Sequence, residues 1–92
     1  MNKPTITKID KGKKPTLKEM QDIVGGYIEL VYDDGHTQII CNEEGKLLGL
    51  PINKEATDIW LELLEEGGGY IVYNYSDVLV GNILMLNGEA RM

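Results

Sequence analysis

The dipeptide Asp34-Gly35 lies between two runs rich in β-branched and aromatic residues, and no other feature constrains the fold of this chain as strongly. Aspartate followed by glycine suits a two-residue turn with positive φ, so the flanking runs are expected to pair as an antiparallel hairpin. With Asp34 and Gly35 as the loop, Asp33 faces His36, Tyr32 faces Thr37, Leu30 faces Ile39 and Ile28 faces Cys41. That register puts an apolar set on one face. It leaves a mixed face on which Val31 meets Gln38, Glu29 meets Ile40 and Tyr27 meets Asn42.

The rest of the chain is arranged around this hairpin. Pro4 to Asp10 alternates weakly and is expected to be an edge strand, followed by a basic loop from Lys11 to Pro15. Thr16 with Glu19 three residues later forms a capping-box pattern, and Leu17, Met20, Ile23 and Val24 then share one face of a short helix. Gly25-Gly26 ends that helix. After the hairpin, Asn42 to Lys46 is a polar turn, and Leu47 to Leu50 is too short to classify. Asn53 is placed to cap a helix from Lys54 to Glu66. Its apolar side is Ala56, Ile59, Trp60, Leu63 and Leu64. Gly67-Gly68-Gly69 releases the helix, Tyr70 to Tyr75 is expected to be a strand, and Ser76-Asp77 a turn. Val78 to Leu86 is apolar on both faces and predicts a central strand covered on both sides, the second cover coming from another subunit. The expected fold is α+β: a small mixed, mainly antiparallel sheet with two helices, in one domain spanning residues 1–92.

Charge and cysteine content narrow the function classes. The net charge of −6 is uneven. Met1 to Met20 holds six lysines against two carboxylates, whereas the remainder holds three basic residues against thirteen carboxylates. A nucleic-acid polymer is a poor partner for so acidic a chain, because neutralising phosphates needs a basic face. A single cysteine, Cys41, cannot form an intrachain disulfide, and no long apolar segment is present. These features lead to the expectation of a cytoplasmic protein without membrane partners.

Three ordered blocks, VGGYIELV from Val24, NEEGKLLGLPIN from Asn42 and LVGNILML from Leu79, resemble the domain-of-unknown-function 3846 family of small phage and mobile-element proteins. The resemblance covers roughly residues 16–86, leaving residues 1–15 as a lysine-rich leader with the edge strand. It implies an α+β fold and a bacterial host cell as the setting. It carries no catalytic residues, and the segment GGGYIVYNY is not a family hallmark.

No catalytic constellation assembles from the residues. His36 and Cys41 lie an odd number of positions apart in one expected strand and so point to opposite faces, which argues against a shared metal or nucleophile site. Neither a cofactor nor a metal is expected, and the chain is read as a non-enzyme. Lys11, Lys13 and Lys14 precede the helix starting at Thr16, where free amides and the helix dipole favour a phosphate, or else form a solvated arm. Tyr27, Tyr70 and Tyr73 offer rings able to stack on a base, or else complete a core or an interface. Asn42, Glu43, Glu44 and Lys46 crowd functional groups onto one turn; turn formation explains Asn42 and Gly45 but does not ask for Glu43, Glu44 and Lys46 together, which mark a functional site or else a salt-bridged turn, and Asn53 follows nearby. On this basis the leading expectation is a homo-oligomeric counter-defence protein that sequesters a small nucleotide-type immune signal. The alternative is an acidic inhibitor whose helix face, Glu55, Asp58, Glu62, Glu65 and Glu66, engages a basic surface of a host protein.

Overall fold

The computed structural model describes residues 3–66 and 78–92. Four strands, β1 (Ile6–Ile9), β2 (Ile28–Asp33), β3 (Thr37–Asn42) and β4 (Ile83–Asn87), form one sheet in the order β1-β4-β3-β2. β1 runs parallel to β4, while β4 with β3 and β3 with β2 are antiparallel. Helix α1 (Leu17–Val24) and helix α2 (Lys54–Glu65) are the two helices among the described residues. A short 3-10 turn, Gly88–Ala90, follows β4. The fold is α+β, with the mixed, mainly antiparallel sheet that the sequence predicts. The expected strand at Tyr70 to Tyr75, with Gly67-Gly68-Gly69 and Ser76-Asp77 beside it, lies outside the described residues.

Both helices begin, and α1 ends, where local chemistry predicts. The Thr16 side chain accepts from the Glu19 amide at 3.1 Å while the Glu19 carboxylate accepts from the Thr16 amide at 2.9 Å, so two otherwise orphaned donors are satisfied. Gly25 takes φ 82° and closes α1, a conformation that a Cβ would penalise. Asn53 starts α2 by accepting from the Ala56 amide at 3.0 Å.

The hairpin departs from the expected register. Asp33 pairs with Gln38 and Ile28 with Asn42, and the loop is Gly35-His36 rather than Asp34-Gly35. The aspartates account for the shift. Asp33 accepts from the Gly35 amide, and Asp34 accepts from the amides of His36 and Thr37 at 2.8 and 2.7 Å. Each carboxylate is better used beside the loop, binding its amides, than inside it. A second irregularity, a bulge between Leu30 and Tyr32, adds Val31 as an extra residue. Val31 and Tyr32 consequently both enter the same core cluster, each about 1% exposed, and strict alternation is lost.

The sheet has a core on each face. On one, Ala56, Trp60 and Leu64 of α2 cover Val31, Tyr32, Ile39, Cys41, Ile83 and Met85. On the other, Met20 and Val24 of α1 cover Ile40, Leu84 and Leu86. β4 is therefore central and buried on both sides, as its apolar sequence predicts. Its second cover is α1 of the same chain, which corrects the expectation of a second subunit in that role. The strand is also shorter than expected: Val78 to Asn82 precedes it as an irregular segment, joined to the chain before α2 by the isolated Ile52–Val80 bridge. Leu17, expected on the apolar face of α1, stays 56% exposed because α1 meets the sheet mainly through Met20 and Val24.

Asn53 ties these pieces together. Its side-chain amide donates to the carbonyls of Thr5 and Gly81, both at 3.0 Å. Its backbone amide donates to Leu79, and its carbonyl accepts from the amide and hydroxyl of Thr57. Removing the side chain loses the cap, worth about 1 kcal/mol, strips the buried Gly81 carbonyl of a donor, at about 1 kcal/mol or more, and loses a second hydrogen bond at the Thr5 carbonyl, which keeps the Ile83 amide. Asn53→Ala should therefore destabilise the protein by about 3 kcal/mol in urea unfolding. Asn53→Asp should not restore stability, because the new carboxylate keeps the cap but repels both carbonyls.

Burial, with a hydrogen bond donated to Asp34 at 2.9 Å, pushes the Tyr32 hydroxyl up to about 12. For Asp34, burial alone would raise the carboxyl, but the amides of Thr37 and His36 and the Tyr32 hydroxyl outweigh it and hold the group below its ordinary 3.8. Between the unfolded tyrosine value of 10.0 and about 12, the unfolded chain ionises first, so the stability due to Tyr32 is present below pH 10 and lost above it. Urea midpoints measured from pH 9 to pH 11.5 should fall, and Tyr32→Phe should flatten that fall.

Candidate functional site

The two ends of the sheet differ in chemistry. Ile9 of β1 pairs with Leu86 and Thr37 with Asn87, so one end holds the hairpin loop and the basic loop after β1. Ile28 pairs with Asn42 and Ile6 with Ile83, so the other end holds the starts of β1, β2 and β4 and the turn after β3. Helix α1 runs between the ends, with Thr16 near the first and Gly25 at the second.

This geometry divides the residues singled out in the sequence. Lys11, Lys13, Lys14 and Thr16 lie at the hairpin end, all exposed. Tyr27, Asn42, Glu43, Glu44, Lys46 and Asn53 gather at the opposite end. The eight residues of α1, about 12 Å of helix, separate the two groups. The structure does not bring the expected phosphate-binding lysines to Tyr27. Tyr70 and Tyr73 lie outside the described residues. Glu55, Asp58, Glu62, Glu65 and Glu66 are exposed along α2, with Asp58 held by Lys54 at 3.0 Å.

Within the Asn42 end, structural and unengaged groups can be distinguished. Asn42 is buried; it donates to the Val24 carbonyl at 3.2 Å and accepts from the Glu44 amide at 2.8 Å. It thus fastens the end of α1 to the turn after β3. Gly45 is required there, since a Cβ would stand 2.8 Å from Val80 Cγ2. The Glu43 amide donates to the Tyr27 carbonyl at 2.8 Å, so Tyr27 and the turn are held side by side. Asn53 is wholly occupied in capping and bridging. Tyr27, by contrast, is 65% exposed.

Tyr27 borders an open cavity of about 470 Å³, with Gln21, Asp22, Asn42, Glu44 and Leu48 also on its walls. A second hollow of about 240 Å³ shares Gly25, Asn42 and Leu48 with the first and adds Lys3, Pro4 and Asn82. A third, about 450 Å³, shares Lys3 and Pro4 and reaches Lys54 at the start of α2. Through these shared residues the hollows form one groove across the Asn42 end. Lys3, Gln21 and Asp22 were missed in the sequence. Reading Pro4 to Asp10 as an extended strand was the available signal for Lys3, since it separates that residue from Lys11.

His36 sits in the hairpin loop and Cys41 is buried with its thiol 3.8 Å from a Glu29 carboxylate oxygen, so the two are not brought together. Among the described residues no group of three or more His, Cys, Asp or Glu side chains is placed to hold a metal ion. Nor is any helix among them long and apolar enough to cross a membrane.

A mixed four-stranded sheet with one helix on each face and a polar groove across one end defines a small α+β protein. The chain belongs to the family described as domain of unknown function (DUF3846), whose model matches residues 1–91 and so includes the lysine-rich leader. No curated protein and no solved structure matches the chain.

Because Asn42 is anchored on both sides, Asn42→Ala should act on stability. The expected loss is about 2 kcal/mol in urea unfolding, from a buried carbonyl and a turn amide left without partners. Hydrogen exchange should speed up at the Glu44 amide.

Proposed function

We propose that this protein is a non-enzymatic binder that holds a small nucleotide-type molecule in the groove at the Asn42 end. In the phage or mobile-element setting that the family resemblance implies, sequestering a host defence signal needs binding and no turnover. The observation that carries this reading is the exposed Tyr27 ring at the edge of a cavity of about 470 Å³. Ligand pockets commonly fall between about 300 and 1,000 Å³. A flat ring with one open face offers a base a stacking platform worth about 1–3 kcal/mol. Lys3, in the adjoining hollow, supplies an ammonium for phosphate. The lysines at the hairpin end, Lys11, Lys13 and Lys14, have no part in this arrangement, and Lys3 takes the phosphate in their place.

Native mass spectrometry with a panel of linear and cyclic nucleotides reads ligand mass and subunit number together. For the nucleotide that binds, Tyr27→Ala should weaken affinity by about tenfold or more. Lys3→Ala should weaken it severalfold in a salt-dependent way, and Lys13→Ala with Lys14→Ala should leave it unchanged. An empty protein across the whole panel, or full binding by Tyr27→Ala, overturns the proposal.

A second reading assigns binding to α2. Glu55, Glu62, Glu65 and Glu66 are exposed there, while Asp58 pairs within the helix with Lys54. Such a face complements a basic protein surface. Glu62→Lys would then abolish capture of a basic partner while sparing nucleotide binding.

A further inference from the structure

Resting on the groove reading above, we infer that the molecule it takes is a ribonucleotide, with the ribose hydroxyls on Glu44, rather than a deoxyribonucleotide. The argument begins with which polar groups on the first cavity are already committed. Asn42 spends its side chain on the Val24 carbonyl and the Glu44 amide. Asp22 holds Lys18 at 2.7 Å. The side chains of Gln21, Glu44 and Tyr27 have no hydrogen-bond partner among the described residues, and all three border the same cavity.

Glu44 is also held in position. Its amide is bound by Asn42, and the preceding amide, of Glu43, is bound to the Tyr27 carbonyl. The carboxylate and the ring are thereby carried on backbone segments fastened to one another, so a base on Tyr27 places its sugar on the side of this turn. An ionised carboxylate accepts hydrogen bonds only, and two oxygens match two vicinal hydroxyls. Carboxylates serve the ribose 2′-hydroxyl in this way in dinucleotide-binding folds. The same charge repels phosphate, which leaves the phosphate to point along the groove toward Lys3. A 2′-deoxy sugar leaves one of these bonds unmade.

The test is calorimetry on the full chain with the four ribonucleoside 5′-monophosphates and their four 2′-deoxy counterparts. The ribonucleotide that binds best should exceed its deoxy partner by about tenfold, the lower range for a hydrogen bond to a charged group. Glu44→Ala should abolish the discrimination, with both sugars binding no better than the deoxynucleotide binds the intact chain, and with an unchanged thermal midpoint, since the side chain holds nothing in the fold. Equal binding of ribo and deoxy forms, with Tyr27→Ala still weakening both, overturns the inference and leaves the groove reading standing. Discrimination that survives in Glu44→Ala overturns the assignment to Glu44. No binding by any of the eight, together with an empty wider panel, removes both.

Discussion

Asn53 is the point at which the chain becomes three-dimensional. A helix cap needs only one acceptor, and serine or aspartate would supply it. Asparagine supplies two donors as well, and both are spent on carbonyls distant in sequence, Thr5 before β1 and Gly81 before β4. β1 and β4 are the parallel pair, so no tight turn can set their register. One buried amide aligns the starts of both strands with the start of the helix that covers them. Thr57 extends this by accepting from the Leu79 amide while donating to the Asn53 carbonyl.

The bulge in β2 is the second organising device. An unbroken strand would have sent Val31 and Tyr32 to opposite faces. The extra residue turns both toward Trp60 and its neighbours, and it places the Tyr32 hydroxyl on Asp34. The same aspartate binds the loop amides. A single carboxylate thus couples the edge of the larger core to the hairpin turn, and burial with these hydrogen bonds sets the unusual titration of both groups.

The groove follows from how the elements end. β1, β2 and β4 begin at the Asn42 end, β3 and α1 finish there, and α2 starts there, so six elements have an end on one rim of the sheet. Turns cannot pack as tightly as strands, and hollows are left between them. The rim keeps Tyr27, Leu47 and Leu48 exposed, at 65%, 86% and 62%, a concentration of apolar surface that the fold does not use. The groove adjoins that patch, with Tyr27 and Leu48 on the walls of its first hollow.

Local interactions were legible in the sequence because their partners are a few residues apart. The Thr16–Glu19 box, the Gly25 exit, the Asn53 cap and the apolar stripe from Ala56 to Leu64 all follow from helix geometry, and the double-sided burial of β4 follows from its unbroken apolar run. The hairpin was legible as a hairpin, but not its register, because Asp33 and Asp34 compete for the turn and the bulge breaks the alternation from which register is inferred. Tyr27, Asn42 and Glu44, all singled out in the sequence, lie together in the structure because they flank one short stretch of paired strand. Lys11, Lys13 and Lys14 were singled out for their charge beside the free amides of the helix start, but they lie at the other end of α1, whereas Lys3, Gln21 and Asp22 were passed over. Only the tertiary structure decides this, since β1 and α1 each carry the chain across the sheet, and residues close in sequence reach opposite ends. Sequence by itself determined both helices, the hairpin and the central strand; the packing of α1 and α2 on opposite faces decided which side chains meet.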